Sequence, residues 1–149
     1  MKPAPPDWPR MSSSLYYDDA AKAIDWLCNA FDFEVRLRVE SDEGKIEHSE
    51  LVYGEGVVMV ADTTKAEKFS FIRSPHQIGG GNTQNLFVYV DDVETHCKRA
   101  REGGAKIVSE PKTTDYGEDY WSDRTYECED IGGHHWWFAQ RMRSPGPKA

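Results

Sequence analysis

Leu86–Phe87–Val88–Tyr89–Val90–Asp91–Asp92–Val93 is the stretch on which the reading of this chain turns. Asn85–Val90 has the length and apolar character of a short strand, and the residues after it open a helix. In that helix Val93, Cys97 and Ala100 form an apolar seam, and Asp91 and Glu94 have the spacing of a variant capping box with Asp91 as the cap. Gly103–Gly104 ends it, because glycine takes the left-handed conformation past a helix terminus cheaply. Beyond lie three more strand candidates, Lys106–Ser109, Thr125–Glu129 and His134–Phe138. Leu86–Phe138 therefore reads strand, helix, three strands.

Leu15–Asp62 spells the same order. A short strand at Ser12–Tyr17 leads to a helix, Ala20–Phe31, capped by Asp18 or Asp19, with Ile24, Leu27, Cys28 and Phe31 on one apolar stripe. Val35, Leu37 and Val39 alternate with charged residues, as in a strand with one wet side. The turn Asp42–Lys45 returns the chain into Ile46–Tyr53, and Gly54–Gly56 turns it again into Val57–Ala61. One supersecondary unit used twice predicts an α+β fold: two paired βαβββ modules whose curved antiparallel sheets surround a cleft. The expected organisation is an extended arm with four prolines at 1–11, one domain at 12–140 with modules 12–62 and 84–140, and a flexible Pro/Gly tail at 141–149. The hydrophilic link Thr63–Thr83 joins the modules, and its Gly79–Gly80–Gly81 reads as a flexible hairpin or lid, since no Gly-Lys-Ser/Thr follows to make a phosphate loop.

At 149 residues, 38% hydrophobic and 12% aromatic, the chain can fill a single core. No apolar run reaches the ~20 residues of a membrane span and no signal peptide opens the sequence, so a cytoplasmic location is expected. The formal net charge of −8, without a basic patch, argues against nucleic acid and anionic membranes as partners and permits a cationic small ligand. Three cysteines cannot all pair. Cys28 and Cys97 fall on helix stripes, which predicts packed free thiols.

The chain resembles the vicinal oxygen chelate superfamily, the glyoxalase I, bleomycin-resistance and extradiol dioxygenase group, over roughly Leu15–Gln140. The first half carries the likeness at Asp19–Leu27, Phe31–Glu34 and Gly44–Leu51. The second carries it at Val88–Val93, Gly103–Ala105 and Asp130–Phe138, which is similar to the family's Asp-Pro-x-Gly-His-x-Trp ending with Ile131 in the proline position. His48–Leu51 and Trp121–Arg124 are similar to the PhnB-like and glyoxalase-like branch. The resemblance implies a homodimer, because relatives complete or flank their clefts across a two-fold axis.

The superfamily's metal enzymes draw one His or Glu ligand from each of four strands. Carried over position by position, these ligands fall on Ser12 or Ser13, Met59, Asn85 and Trp137, so no metal site is expected and no cofactor is predicted; the alternative, a divalent metal at a displaced site, would use His48 with His134 or His135. His134 and His135 are adjacent, so in a strand they face opposite ways and cannot share an ion. His76 and His96 read as surface or supporting residues. His48 or His135 could instead act as a general base in metal-free catalysis.

An aromatic inventory completes the reading. If Asn85 faces the cleft, Phe87 and Tyr89 follow by alternation, and if Trp137 does, His135 joins it. Tyr116, Tyr120 and Trp121 stand where the family builds a cleft wall. Met59, Asn85, Phe87, Tyr89, Trp121, His135 and Trp137 are therefore the candidate ligand contacts, suited to planar or cationic organic molecules. Trp26 and Trp136 are assigned to the core. The function expected is metal-independent small-molecule binding, the alternative a metal-dependent lyase, isomerase or dioxygenase.

Overall fold

The computed structural model describes residues 1–147. It forms two compact units, the first ending at Gly81 and the second beginning at Asn82. Each contains one four-stranded sheet and one α-helix in the order the repeat predicts.

In the first unit β1 (Ser13–Tyr17) leads into α1 (Ala20–Phe31), followed by β2 (Glu34–Glu40), β3 (Ile46–Tyr53) and β4 (Gly56–Asp62). The sheet order is β1-β4-β3-β2, with β1 parallel to β4 and the remaining pairs antiparallel. The sheets are thus mixed, which corrects the antiparallel expectation. A strand joined to its neighbour through a whole module can lie alongside it in the same direction, which a tight hairpin cannot do. Asp19 is the helix cap, its side chain accepting from Lys22 N–H at 3.1 Å. Leu15, Tyr17, Ile24, Leu27, Leu51 and Val60 are buried between helix and sheet. Asp62, at the end of β4, joins strand to helix: Oδ1 accepts from Ala20 N–H at 3.2 Å and Oδ2 from Ile46 N–H at 2.6 Å.

The second unit repeats this with β5 (Leu86–Tyr89), α2 (Val93–Glu102), β6 (Lys106–Asp115), β7 (Ser122–Glu129) and β8 (His135–Arg143), in the order β5-β8-β7-β6. Here the side chain that joins the last strand to the helix is Gln140, whose Oε1 accepts from Val93 N–H at 3.0 Å. Asp92, rather than Asp91, caps α2 through Thr95 N–H at 3.1 Å. The repeat explains the shift, since Asp92 corresponds to Asp19. β6 and β7 run longer than expected, with register shifts in β6 around the edge residue Pro111, where a missing N–H is tolerated. β8 continues to Arg143, so Arg141, Met142 and Arg143 belong to the sheet and not to a flexible tail.

Trp136, Phe138, Tyr126 and Cys128 fill the helix-facing side of this sheet, each fully buried. His96 is also buried, its Nδ1 2.7 Å from the Tyr126 hydroxyl and its ring against Phe138, which corrects the surface assignment. The cysteines are free thiols, and burial pushes all three above the ordinary thiol range, Cys128 most. Trp26 is only half-buried, edge-on to Phe31 at 4.9 Å. Gly79–Gly80–Gly81 follows a 3-10 turn (His76–Ile78), with Gly79 and Gly80 at positive φ. No helix among the described residues is long and apolar enough to cross a membrane.

Candidate functional site

Strand alternation gives each sheet a face turned away from its helix, and the charged and aromatic side chains gather there. On the second sheet Phe87 lies beside Trp137 and Tyr89 beside Ala139, while Glu127 lies beside Trp137 and Asp123 beside Arg141. Phe87, Tyr89, His135, Trp137, Arg141, Asp123 and Glu127 therefore share one face. Phe87 and Tyr89 are about half exposed, ring centroids 5.3 Å apart in an edge-on pair. Asn85 is exposed one residue before β5.

A polar cluster occupies one end of this face. Arg141 Nε donates to Asp123 Oδ1 at 2.6 Å and its Nη2 to the Tyr89 hydroxyl, which in turn donates to Asp123 Oδ2 at 2.9 Å. The guanidinium carbon lies 5.1 Å from the Tyr89 ring centroid and 5.4 Å from that of Trp121. Trp121 sits on the β6–β7 loop, 5.6 Å from Tyr116 and 6.3 Å from Tyr120. Burial, together with the bond to Asp123, holds the Tyr89 hydroxyl above the usual phenol range against the opposing pull of Arg141. Asp123 is only 4% exposed, and these partners take up both of its carboxylate oxygens. Farther along, His135 Nε2 is 3.1 Å from Glu127 Oε1, beside Trp137.

The first sheet carries a related cluster. Glu50, opposite Met59, accepts at Oε1 from Arg36 Nε and Nη2 at 3.1 and 3.0 Å, and its Oε2 is 3.2 Å from His48 Nε2. Burial opposes ionisation of Glu50, but the bonds from His48 and Arg36 outweigh it and hold the carboxyl below its ordinary range. A depressed folded value adds stability above the unfolded value, about 4.3, and that stability is lost as pH falls through the lower folded value. Glu50→Gln should accordingly be less stable than wild type at about pH 7, with the gap closing below about pH 4. Urea denaturation at both pH values checks this, and a gap that widens in acid would contradict the pairing.

Of the candidate contacts, the structure places Phe87, Tyr89, His135 and Trp137 on one face of the second sheet, with Asn85 at its edge and Trp121 joined to Tyr89 through Arg141. Met59 belongs to the first unit. Asp123, Arg141, Glu127, Arg36 and Glu50 were not singled out from sequence. The His48–Glu50 spacing was a usable signal, since i and i+2 share a strand face, but the Asp123–Arg141 pair depends on cross-strand register.

A model of the Glyoxalase/Bleomycin resistance protein/Dioxygenase superfamily matches residues 11–138. The chain belongs to this superfamily. Among its relatives is Rv0887c of Mycobacterium tuberculosis (strain ATCC 25618 / H37Rv), 33% identical over 135 residues, which are 91% of this chain and 76% of that protein. TioX from Micromonospora sp. ML1 is similar in crystal structure, with TM-score 0.67 and 32% identity over 90% of this chain and 99% of its own. TnmS3, an antibiotic binding protein from Streptomyces sp. CB03234, shares the fold at TM-score 0.58 and 16% identity, covering 87% and 93% of the two chains.

For a glyoxalase-superfamily protein the metal question turns on donor chemistry. The repeat selects Ser12 over Ser13 for the first carried-over position. Tyr16 beside Ala61 corresponds to Tyr89 beside Ala139, so Ser12 matches Asn85. A hydroxyl, a thioether, an amide and an indole at Ser12, Met59, Asn85 and Trp137 do not fit a divalent ion that prefers carboxylate and imidazole. Among the described residues no three His, Cys, Asp or Glu side chains group closely enough to hold a metal. His48–Glu50 and His135–Glu127 are pairs.

Proposed function

We propose that this superfamily member is a small-molecule-binding protein that receives a planar organic cation on the open face of its second sheet, without a metal. The carrying observation is the chain's own guanidinium: Arg141 lies 5.1 and 5.4 Å from the Tyr89 and Trp121 rings while bonded to the buried carboxylate of Asp123. Rings and carboxylate so arranged favour flat cations, at roughly 0.5–2 kcal/mol for each ring contact. Phe87 and Trp137 extend the aromatic surface beside it, and Glu127 keeps the face acidic. TioX and TnmS3 share the architecture, and the latter's role in binding an antibiotic agrees with a sequestering module.

The test is calorimetric titration with 9-aminoacridine, a planar cation, against anthracene-9-carboxylate, a ring system of the same size and opposite charge. The cation should bind more tightly, and Trp137→Ala should weaken it by about 1–3 kcal/mol through lost stacking and burial. Equal or preferred binding of the anion would refute the reading. A saturable manganese or nickel shift in melting temperature, abolished by His48→Ala or His135→Ala, would favour the metal-dependent lyase, isomerase or dioxygenase instead.

A further inference from the structure

The N-terminal arm does not run free: it ends in a turn that carries one ring onto the first sheet. Trp8 N–H donates to the Pro5 carbonyl at 3.2 Å, Pro6 occupies the second turn position and Asp7 the third with φ +62°. That is the arrangement of a type II turn, in which proline presets the second residue and the third must be left-handed. The turn brings the Asp7 carbonyl to Arg36 Nη1 at 2.6 Å and sets the Trp8 ring over the Arg36 guanidinium at 4.6 Å.

Arg36 is fixed in the plane of its own guanidinium. Nε and Nη2 are held by Glu50, which His48 holds from its other oxygen, and Nη1 is held by Asp7. With those edge donors engaged, the group's remaining recognition surface is its flat cationic face, which attracts the face of an aromatic ring. Leu37 lies beside Glu50 and Val39 beside His48, both about two-fifths exposed, so an apolar strip borders the platform.

We propose that this is a second binding site, for a neutral planar aromatic ring, and that Trp8 is its resident, displaceable occupant. The arm belongs to no helix or strand. Among the described residues its other hydrogen bonds, Trp8 to Pro5 and Arg10 to Lys2, stay within the arm. A free ring stacked on Arg36 therefore replaces one ring contact with another and leaves the sheet intact. The site is independent of the cation reading for the second sheet.

Indole is the probe, in calorimetry and in NMR of the full chain. Trp8→Ala should bind indole at least tenfold more tightly than wild type, and Trp8→Ala/Arg36→Ala should lose that binding. In wild type, saturating indole should move the Trp8 ring N–H resonance to the position it has in Arg36→Ala, where the ring is released. Equal affinity in wild type and Trp8→Ala, binding retained in the double variant, or a Trp8 resonance that stays in place at saturation would each overturn the proposal. So would failure of Trp8→Ala to fold, because an arm required for folding is not a displaceable occupant.

Discussion

Trp136→Ala should cost about 3–5 kcal/mol of folding stability, a large share of the roughly 5–15 kcal/mol that keeps a domain folded. The indole is fully buried and stacks on Phe138 with centroids 5.8 Å apart and planes 2° from parallel, while Nε1 donates to Asp130 Oδ2 at 2.9 Å. Truncation would open a large cavity under α2 and remove one partner of a carboxylate that also orders the turn before β8 through Gly132 and His134 N–H. The adjacent Trp137 faces the other way and is partly exposed, so Trp137→Ala should cost far less. Urea unfolding of both variants gives the comparison. A larger loss for Trp137 would reverse the strand parity on which the binding face rests.

Asp62→Ala should cost about 2–4 kcal/mol, since two backbone N–H groups lose their acceptor and burying each unpaired costs roughly 1–3 kcal/mol. Asp62 is 2% exposed, with one oxygen on the first turn of α1 and the other on the first residue of β3. Asp62→Asn should recover only part of the loss, because the amide keeps a single acceptor and turns its NH2 toward another donor. Chemical denaturation followed by circular dichroism reads both variants. If Asp62→Asn matches wild type, only one of the two bonds matters.

The two helices, the succession of strands along the chain and the inward or outward sense of β5 and β8 were legible because each rests on local periodicity, and the repeat checked one half against the other. Trp136 and Trp137 show how far alternation reaches: adjacent residues of one type separate into core and open face. What escaped depends on distance along the chain. Arg141 lay past the last obvious apolar residue, so β8 was cut short and with it the partner of Asp123. His96 sat among charged helix residues, and only the register of β7 brings the Tyr126 hydroxyl beneath it. Trp8 was lost in a proline-rich arm whose composition signals extension while its Pro-Pro-Asp order makes a turn. The parallel β1–β4 and β5–β8 pairs were hidden because no hairpin announces them.

Those parallel pairs also set a schedule. In each unit the side chain that secures the helix entrance stands on the unit's last strand, Asp62 for α1 and Gln140 for α2, so a growing chain cannot finish either helix terminus until nearly the whole unit has been synthesised. At translation speeds of about 5–20 residues per second, the first helix waits seconds for its acceptor, with the facing edges of β1 and β3 unpaired until β4 arrives between them. The second unit imposes the same wait on α2 until β8 is made. Nascent chains interrupted between β3 and β4, or between β7 and β8, would therefore be the forms most exposed to chaperones and to edge-to-edge association.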